Sequence, residues 1–341
     1  MRKSLLFIGL IVAIIFVFFR PWILQSQIIG GDWPYFYSEF VKNLPLLVPS
    51  WVSYQGNGLG GMPISYSLDS YLYFISTLLV RGANIPWNII YKIFYFGVFI
   101  IGSLFSAYYF IHAIHLRVKP WQWIIALLIY STNSYILMVV GGGQMGVALA
   151  YAFAPWALGS WIYLIRDVIS EKSDILQKSL VTGISFSVVI FFDPRIAYLV
   201  AIAVFLYFLV YVIGHVRFSR PSSVLSLKSV LKNLSYIFGL PTLISLFLHA
   251  SWILPILVYR TTPLDNLVTS YTSVGAFIFH SFATFSNGIS LLHPNWPENI
   301  FGKIYFLRPE YLVLPIIAFS AFFTISQNQK KEDALRISTI F

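Results

Sequence analysis

The sequence predicts an all-α integral membrane protein with about eight transmembrane helices. Of its 341 residues, 58% are hydrophobic and only 10% are charged, and the mean hydropathy is +0.78. A soluble domain usually contains roughly 25% charged residues, so this chain lacks the polar side chains that would cover a water-exposed globule. It also contains no Cys, which excludes disulfides, zinc–thiolate sites and thiol nucleophiles.

Eight apolar runs approach the length of about 20 residues that a bilayer core requires. They are Ser4–Phe19, Trp87–His112, Trp121–Val140, Val147–Ile165, Ser179–Phe192, Ile196–Gly214, Leu234–Val258 and Tyr311–Ser326. The first run resembles the apolar region of a signal peptide, but no small-x-small cleavage site follows it. We therefore expect a retained membrane anchor.

The distribution of Lys and Arg predicts a cytoplasmic N-terminus. With eight spans, five stretches lie in the cytoplasm, and they contain 14 of the 22 basic residues. These stretches are Met1–Lys3, His115–Lys119, Arg166–Lys178, His215–Lys232 and Gln327–Phe341. The basic excess of this chain is thus typical of a multi-pass protein of the cell membrane, and it does not require nucleic acid as a partner.

One further apolar segment, Leu68–Val80, is only thirteen residues long and contains Asp69. If it crossed the membrane, the four basic residues of His215–Lys232 would lie outside, against the positive-inside rule. We therefore interpret Leu68–Val80 as a re-entrant or interfacial segment.

The predicted transmembrane module covers residues 1–326, and its two longest loops, 25–86 and 259–309, lie on the extracytoplasmic side. Seven of the twelve acidic residues fall on that side: Asp32, Glu39, Asp69, Asp193, Asp265, Glu298 and Glu310. Loops of this kind favour an extracytoplasmic functional site. Residues 327–341 are predicted to be a basic cytoplasmic segment. Their sequence resembles the start of a truncated ninth helix, so we expect a longer natural protein.

The first outer loop contains the most distinctive motif, GGDWPYFYSE, which includes Asp32 and Glu39. Partial desolvation at the membrane boundary raises the pKa of a carboxyl group and suits Asp32 to accept a proton. The alternative is a turn in which Asp32 caps the following helix. Farther along, Gly61 lies in the glycine-rich stretch GNGLGGMP, which favours a flexible loop over a carbohydrate or a lipid headgroup.

Two other positions carry candidate binding residues. Asp193-Pro194-Arg195 lies at the outer end of the fifth span, where ionisable groups are usually paired or functional. Asp193 is a candidate to bind a divalent cation or an acceptor hydroxyl, and Arg195 to hold a phosphate oxygen; a local ion pair that joins two helices is the alternative. Glu298, in the last outer loop, is a weaker candidate.

The motifs GGDWPYFYSE and GNGLGGMP, which follow the first helix and precede an apolar juxtamembrane segment, resemble the GT-C superfamily of membrane glycosyltransferases. The similarity is greatest to its arabinofuranosyltransferase-like and YfhO-like branches. It implies transfer of a sugar from a polyprenyl-phosphate donor, with Asp32 as the catalytic carboxylate. It also implies membrane lipids as partners and allows a divalent cation, Mg²⁺ or Mn²⁺, at Asp32 or Asp193, although Trp33 and Pro34 replace the usual paired acidic residues.

Two other functions fit the same composition. A transporter or flippase of lipid-linked glycans would show internal repeats and broken helices, and the second half of this chain does not convincingly repeat the first. A non-catalytic assembly protein of the cell envelope is the third hypothesis. Release of sugar from a labelled lipid donor distinguishes the enzyme from both. Nothing in the sequence indicates an oligomeric state.

Overall fold

The computed structural model describes residues 2–24, 77–114, 120–170, 174–218 and 227–259. Every regular element in these ranges is helical, which confirms the all-α part of the predicted fold class. Five helices of this part of the chain are long and apolar enough to cross a membrane: Trp87–Ala113, Met145–Ile169, Ile175–Phe192, Pro194–Val212 and Leu231–Leu248. The number of spans and their orientation stay predictions, and the proposed span Tyr311–Ser326 lies outside the described residues.

The connections between the helices that follow α2 are much shorter than the segment between α1 and α2. In chain order they are α1 (Arg2–Leu24), α2 (Trp87–Ala113), α3 (Pro120–Thr132), α4 (Ser134–Gly141), α5 (Met145–Ile169), α6 (Ile175–Phe192), α7 (Pro194–Phe218), α8 (Leu227–Leu234 continued by Ser235–Gly239 and Leu240–Leu248) and α9 (Ala250–Tyr259). Two of them contain a π-helical stretch, Lys92–Gly97 in α2 and Ser235–Gly239 in α8. A π-helical turn, Thr77–Gly82, precedes α2 and includes the end of the predicted interfacial segment, most of which lies outside the described residues.

The prediction of one continuous helix over Trp121–Val140 is wrong, because the chain forms α3 and α4 with a break at Asn133. The Asn133 amide nitrogen donates to the carbonyl groups of Ile129, at 3.1 Å, and Tyr130, at 2.9 Å, in the last turn of α3. Its side-chain oxygen accepts the N–H of Ile136, at 3.0 Å, in the first turn of α4. A single asparagine therefore satisfies backbone groups at both helix ends, which makes the break stable in an apolar setting.

Helix α5 is the centre of the bundle and packs against α2, α6 and α7. Glycines allow its closest contacts: a Cβ added to Gly102 of α2 would lie 2.9 Å from the ring of Phe153 on α5. On α5 itself, a Cβ at Gly159 would lie 3.0 Å from the ring of Tyr109. Close approach at small residues is typical of helix packing in membranes, where van der Waals contact stabilises association.

Helices α6 and α8 run parallel to each other. The Ser179 hydroxyl donates to the carbonyl of Tyr236 at 3.0 Å, and farther along both helices the hydroxyl of Ser187 lies 3.1 Å from that of Ser245. Two parallel neighbours separated by one connecting helix are what an alternating path across a membrane produces. Beyond this contact the helix bends at His249, so the predicted span Leu234–Val258 consists of α8 and α9.

The outward faces of the long helices are apolar. On α7, seven large side chains are more than a third exposed: Tyr198, Leu199, Ile202, Phe205, Leu206, Leu209 and Val210. By contrast, Ser185, Ser187 and Ser245 are buried between helices, where their hydroxyl groups make hydrogen bonds. This arrangement is typical of a protein whose outer surface faces lipid.

Candidate functional site

Two of the six predicted site residues, Asp193 and Arg195, lie in the described part of the chain. Asp193 is the single residue between α6 and α7, and Arg195 is the second residue of α7. The other four lie outside the described residues: Asp32, Glu39, Gly61 and Glu298. The geometry of the candidate site is therefore built from the α6–α7 junction and the helices around it.

Asp193 both ends α6 and begins α7. Its backbone is extended, and its N–H donates to the carbonyl of Val189 at 2.9 Å, in the last turn of α6. Its own carbonyl accepts the N–H of Ala197 at 3.3 Å, and its Oδ1 accepts the N–H of Arg195 at 2.8 Å. With Pro194 in the first helical position, this is the arrangement in which an N-cap aspartate is most favourable.

The side chains of Asp193 and Arg195 form a bidentate ion pair. Arg195 Nη2 lies 2.7 Å from Oδ2, and Nε lies 3.1 Å from Oδ1 and 3.2 Å from Oδ2. The Asp193 side chain is 7% exposed, whereas that of Arg195 is 74% exposed. The local pair foreseen from the sequence is thus present, and it holds a guanidinium group in a defined position at the surface. Binding of a phosphate oxygen by Arg195 stays a prediction.

The donor set at Asp193 does not fit Mg²⁺ or Mn²⁺. Both carboxylate oxygens accept hydrogen bonds from the guanidinium group, so a divalent cation would have to displace a positive charge already in place. In the described ranges, no group of three His, Asp or Glu side chains is arranged to hold a metal ion. The Asp193 carboxylate is therefore a partner of arginine rather than a metal ligand, while Asp32 lies outside the described residues.

A group of tyrosines lies next to this pair. Tyr135, on α4, interacts electrostatically with both Asp193 and Arg195, and its ring centroid lies 6.1 Å from that of Tyr151 on α5. Tyr151 stacks on Tyr130 at a centroid distance of 4.4 Å, and each hydroxyl donates to the other residue's carbonyl group. Sequence analysis missed this group, although the polar run Tyr130–Tyr135 inside an apolar stretch marks it.

The end of α1 and the start of α2, between which the first long loop lies, belong to the same hydrophobic cluster as residues beside Asp193. One hydrophobic cluster includes Trp22 near the end of α1, Trp87 at the start of α2, and Phe192 and Ile196 beside Asp193. The chain leaves this cluster after Leu24 and comes back through Thr77–Gly82 to α2. Residues 25–76, which include Asp32, Glu39 and Gly61, connect the end of α1 to Thr77–Gly82 and lie outside the described residues.

The turn from α4 to α5 closes this end of the bundle. Gly143 has a positive φ of 78°, and its N–H donates to the carbonyl of Val140 at 3.0 Å. The N–H of Gln144 donates to the carbonyl of Val139, also at 3.0 Å. These two bonds form a Schellman motif. The motif places the residue that follows the helix in the left-handed backbone region, which glycine adopts without strain. The chain therefore makes a tight turn between Gly141 and Met145.

Comparison with protein-family models, with curated proteins and with solved structures finds no match to this chain. The resemblance to the GT-C superfamily therefore rests on the motifs between residues 25 and 86. Any function has to be inferred from those motifs together with the geometry at the α6–α7 junction.

Proposed function

We propose that this chain is a membrane glycosyltransferase that transfers a sugar from a polyprenyl-phosphate donor to an extracytoplasmic glycan, lipid or protein acceptor. The observation that carries the proposal is the outward-facing guanidinium of Arg195, held by the buried carboxylate of Asp193. When the glycosidic bond breaks, its electron pair passes to a phosphate oxygen. A fixed cation next to that oxygen stabilises the developing charge, and the planar guanidinium matches phosphate geometry.

The depth of Arg195 agrees with a lipid-linked donor. The apolar part of α7, Pro194–Val212, has 19 residues and is about 28 Å long at 1.5 Å per residue. This length equals the bilayer core of roughly 30 Å, so the first residues of α7 lie at a membrane border. The phosphate of a polyprenyl-phosphate sugar lies at the same level.

Asp32 is the base in this proposal. Its carboxylate accepts the proton of the acceptor hydroxyl as the new bond to the anomeric carbon forms and the bond to the phosphate oxygen breaks. Asp32 follows Leu24 by only eight residues, so its segment begins at the end of the bundle that carries Arg195. Glu39, Gly61 and Glu298 are the remaining substrate-binding residues of the proposal.

The test is transfer by the full chain in proteoliposomes from a radiolabelled polyprenyl-phosphate sugar. We expect Asp32→Asn to lower the rate by about 10²–10⁴-fold, as loss of a general base does. Arg195→Gln should lower it by about 10²-fold, the usual effect of removing one charge-stabilising donor. The matched control is Arg20→Gln, since Arg20 is an exposed arginine near the end of α1, and its loss should leave the rate unchanged.

Undiminished transfer in Asp32→Asn would overturn the assignment of the base. If the lipid-linked sugar crosses the vesicle membrane and no polyprenyl phosphate is released, the chain is a flippase and the proposal is wrong. If neither process occurs in the presence of acceptors, the assembly-protein hypothesis takes its place.

A further inference from the structure

Tyr135 lies next to the Asp193–Arg195 pair, and the proposed transfer reaction does not use it. It is the second residue of α4. Its ring is partly buried against the same hydrophobic cluster as Phe192 and Ile196, the residues on either side of the pair. The positive charge of Arg195 acts on the Tyr135 hydroxyl more strongly than the negative charge of Asp193 does. The hydroxyl therefore lies on the side of the pair that the guanidinium group occupies.

A network of hydrogen bonds fixes the position of Tyr135. The Tyr130 hydroxyl donates to the Tyr151 carbonyl, and the Tyr151 hydroxyl donates to the Tyr130 carbonyl at 2.9 Å. The Asn133 amide donates to the Tyr151 hydroxyl, also at 2.9 Å, and joins the end of α3 to α5. Tyr135 follows two residues later, and its ring centroid lies 6.1 Å from that of Tyr151. A donor held in place by its surroundings is what stabilisation of a transition-state charge requires.

The guanidinium group of Arg195 already uses one of its edges. Its Nε and Nη2 both donate to the carboxylate oxygens of Asp193. A guanidinium group binds phosphate most strongly through two parallel N–H donors on one edge, and this edge is directed to the carboxylate. A phosphate that approaches the exposed side of Arg195 is therefore bound more tightly if a neighbouring residue supplies a further donor.

A tyrosine hydroxyl can supply such a donor without changing the charge of the site. A phenol has a pKa of about 10, whereas the second pKa of a phosphate monoester is about 6, so the proton stays on the phenol. A hydrogen bond from the hydroxyl to the leaving oxygen becomes stronger as negative charge develops there. The hydroxyl thus lowers the barrier to bond cleavage without acting as an acid.

We propose that Tyr135 is a second phosphate-binding residue, which donates its O–H to the phosphate oxygen that leaves the anomeric carbon beside Arg195. This assignment rests on the proposed glycosyltransferase function and extends it. The bond from the anomeric carbon to that oxygen breaks, and its electron pair stays on the phosphate. The acceptor oxygen forms the new bond to the anomeric carbon, and its proton passes to Asp32. Tyr135 keeps its proton throughout, and Tyr151 is a positioning residue for its ring.

The experiment measures the kcat and KM of sugar transfer from a radiolabelled polyprenyl-phosphate sugar by the full chain in proteoliposomes. Tyr135→Phe keeps the ring beside Tyr151 and removes only the hydroxyl. We expect kcat to fall about tenfold, the effect of losing one hydrogen bond to a charged group. The KM for the donor should change by less than about twofold, because the bond gains its strength in the transition state. The unfolding midpoint in a denaturing detergent should equal that of the wild type.

Two further variants make the test specific. Tyr108→Phe is the matched control, since Tyr108 is an exposed tyrosine of α2. It lies 21 positions after Trp87, or roughly 31 Å farther along the helix, and its kcat should equal that of the wild type. The double variant Tyr135→Phe/Arg195→Gln should lose less than the product of the two single effects, because both side chains act on one phosphate.

The outcomes separate this assignment from the function on which it rests. If Tyr135→Phe keeps the wild-type kcat while Asp32→Asn does not, Tyr135 is not part of the site and the glycosyltransferase function stands. Equal losses in Tyr135→Phe and Tyr108→Phe, a lower unfolding midpoint in Tyr135→Phe, or fully multiplicative effects in the double variant would also overturn the assignment. If the wild type transfers no sugar, both the function and the assignment are wrong.

Discussion

Two ion pairs at opposite ends of the bundle combine a buried carboxylate with a more exposed cation, but they connect different parts of the chain. Asp193 and Arg195 are two residues apart at the α6–α7 junction, and the Arg195 side chain is 74% exposed. Asp167 and Lys178 join α5 to α6, and the Lys178 side chain is 35% exposed. The first pair is a local cap, whereas the second links two helices.

The difference indicates how each cation is held. Arg195 can exchange its contacts without disturbing helix packing, because the N-cap bond to Asp193 comes from the backbone. Lys178 is part of the contact between α5 and α6, because it pairs with Asp167 of α5. Arg166, the residue before Asp167, donates to the carbonyl of Ala113 at the end of α2 and to the hydroxyl of Tyr207 at 3.0 Å. The Asp193 end is therefore suited to bind and release a ligand, and the Lys178 end to stabilise the bundle.

The largest effect on stability is expected for Lys178→Gln. Removing one partner of a buried pair costs roughly 3–5 kcal/mol, and partial exposure of Lys178 reduces this to about 1–3 kcal/mol. Unfolding of the purified protein by a denaturing detergent measures the change. The double variant Asp167→Asn/Lys178→Gln should recover much of the loss; if it is no more stable than Lys178→Gln, the pair does not link the helices as inferred.

Gly183→Ala should destabilise the contact between α6 and α8 by about 1–3 kcal/mol, the usual cost of an overpacked core. A Cβ at Gly183 would lie 2.8 Å from Cβ of Ile244 and 3.0 Å from the carbonyl oxygen of Pro241. The control is Gly97→Ala, because a Cβ there meets nothing within 4 Å. The same unfolding assay applies, and equal effects of the two variants would show that the close approach at Gly183 is not needed.

Asp193→Ala should destabilise the protein by about 1 kcal/mol, since it removes an N-cap. Asp193→Asn should cost less because the amide oxygen still accepts the N–H of Arg195. Both variants release the guanidinium, so both should lower sugar transfer by a similar factor. A melting curve and the transfer assay together separate the two roles, and a stability loss without a change in transfer would remove Asp193 from the proposed site.

The smallest effect on stability is expected for Arg195→Gln, at most about 0.5 kcal/mol, because an exposed ion-pair partner contributes little. Lys178→Gln is its direct counterpart at the other end of the bundle. If Arg195→Gln destabilises the protein as much as Lys178→Gln in the detergent assay, the contrast between a local cap and a link between helices does not hold.

Much of the helical layout follows from the sequence. Trp87–His112, Val147–Ile165 and Ser179–Phe192 are all present as helices that extend at most four residues beyond the predicted ends, because long apolar runs have no alternative to internal hydrogen bonding in lipid. The Asp193–Arg195 pair was one of the two interpretations of its motif, because ionisable groups at the membrane border are usually paired or functional.

What the sequence did not predict depends on contacts between distant residues. Hydropathy over Trp121–Val140 conceals the break at Asn133, because the decisive hydrogen bonds involve one polar side chain among apolar neighbours. The proximity of Tyr135 to Arg195 arises from packing between segments about 60 residues apart, which no local pattern encodes. Lys178 was predicted only as a cytoplasmic charge, and its pairing with Asp167 depends on how α5 and α6 meet.

The π-helical stretch Ser235–Gly239 in α8 has a consequence for how this chain tolerates changes in length. A π turn holds one residue more than an α turn, so it can absorb an insertion or release a residue without rotating the rest of the helix. Ser245 follows this stretch, and its contact with Ser187 depends on that rotation. Of the positions in α8, this stretch is therefore where a single-residue deletion is best tolerated, because the helix can become regular while Ser245 keeps its place beside α6.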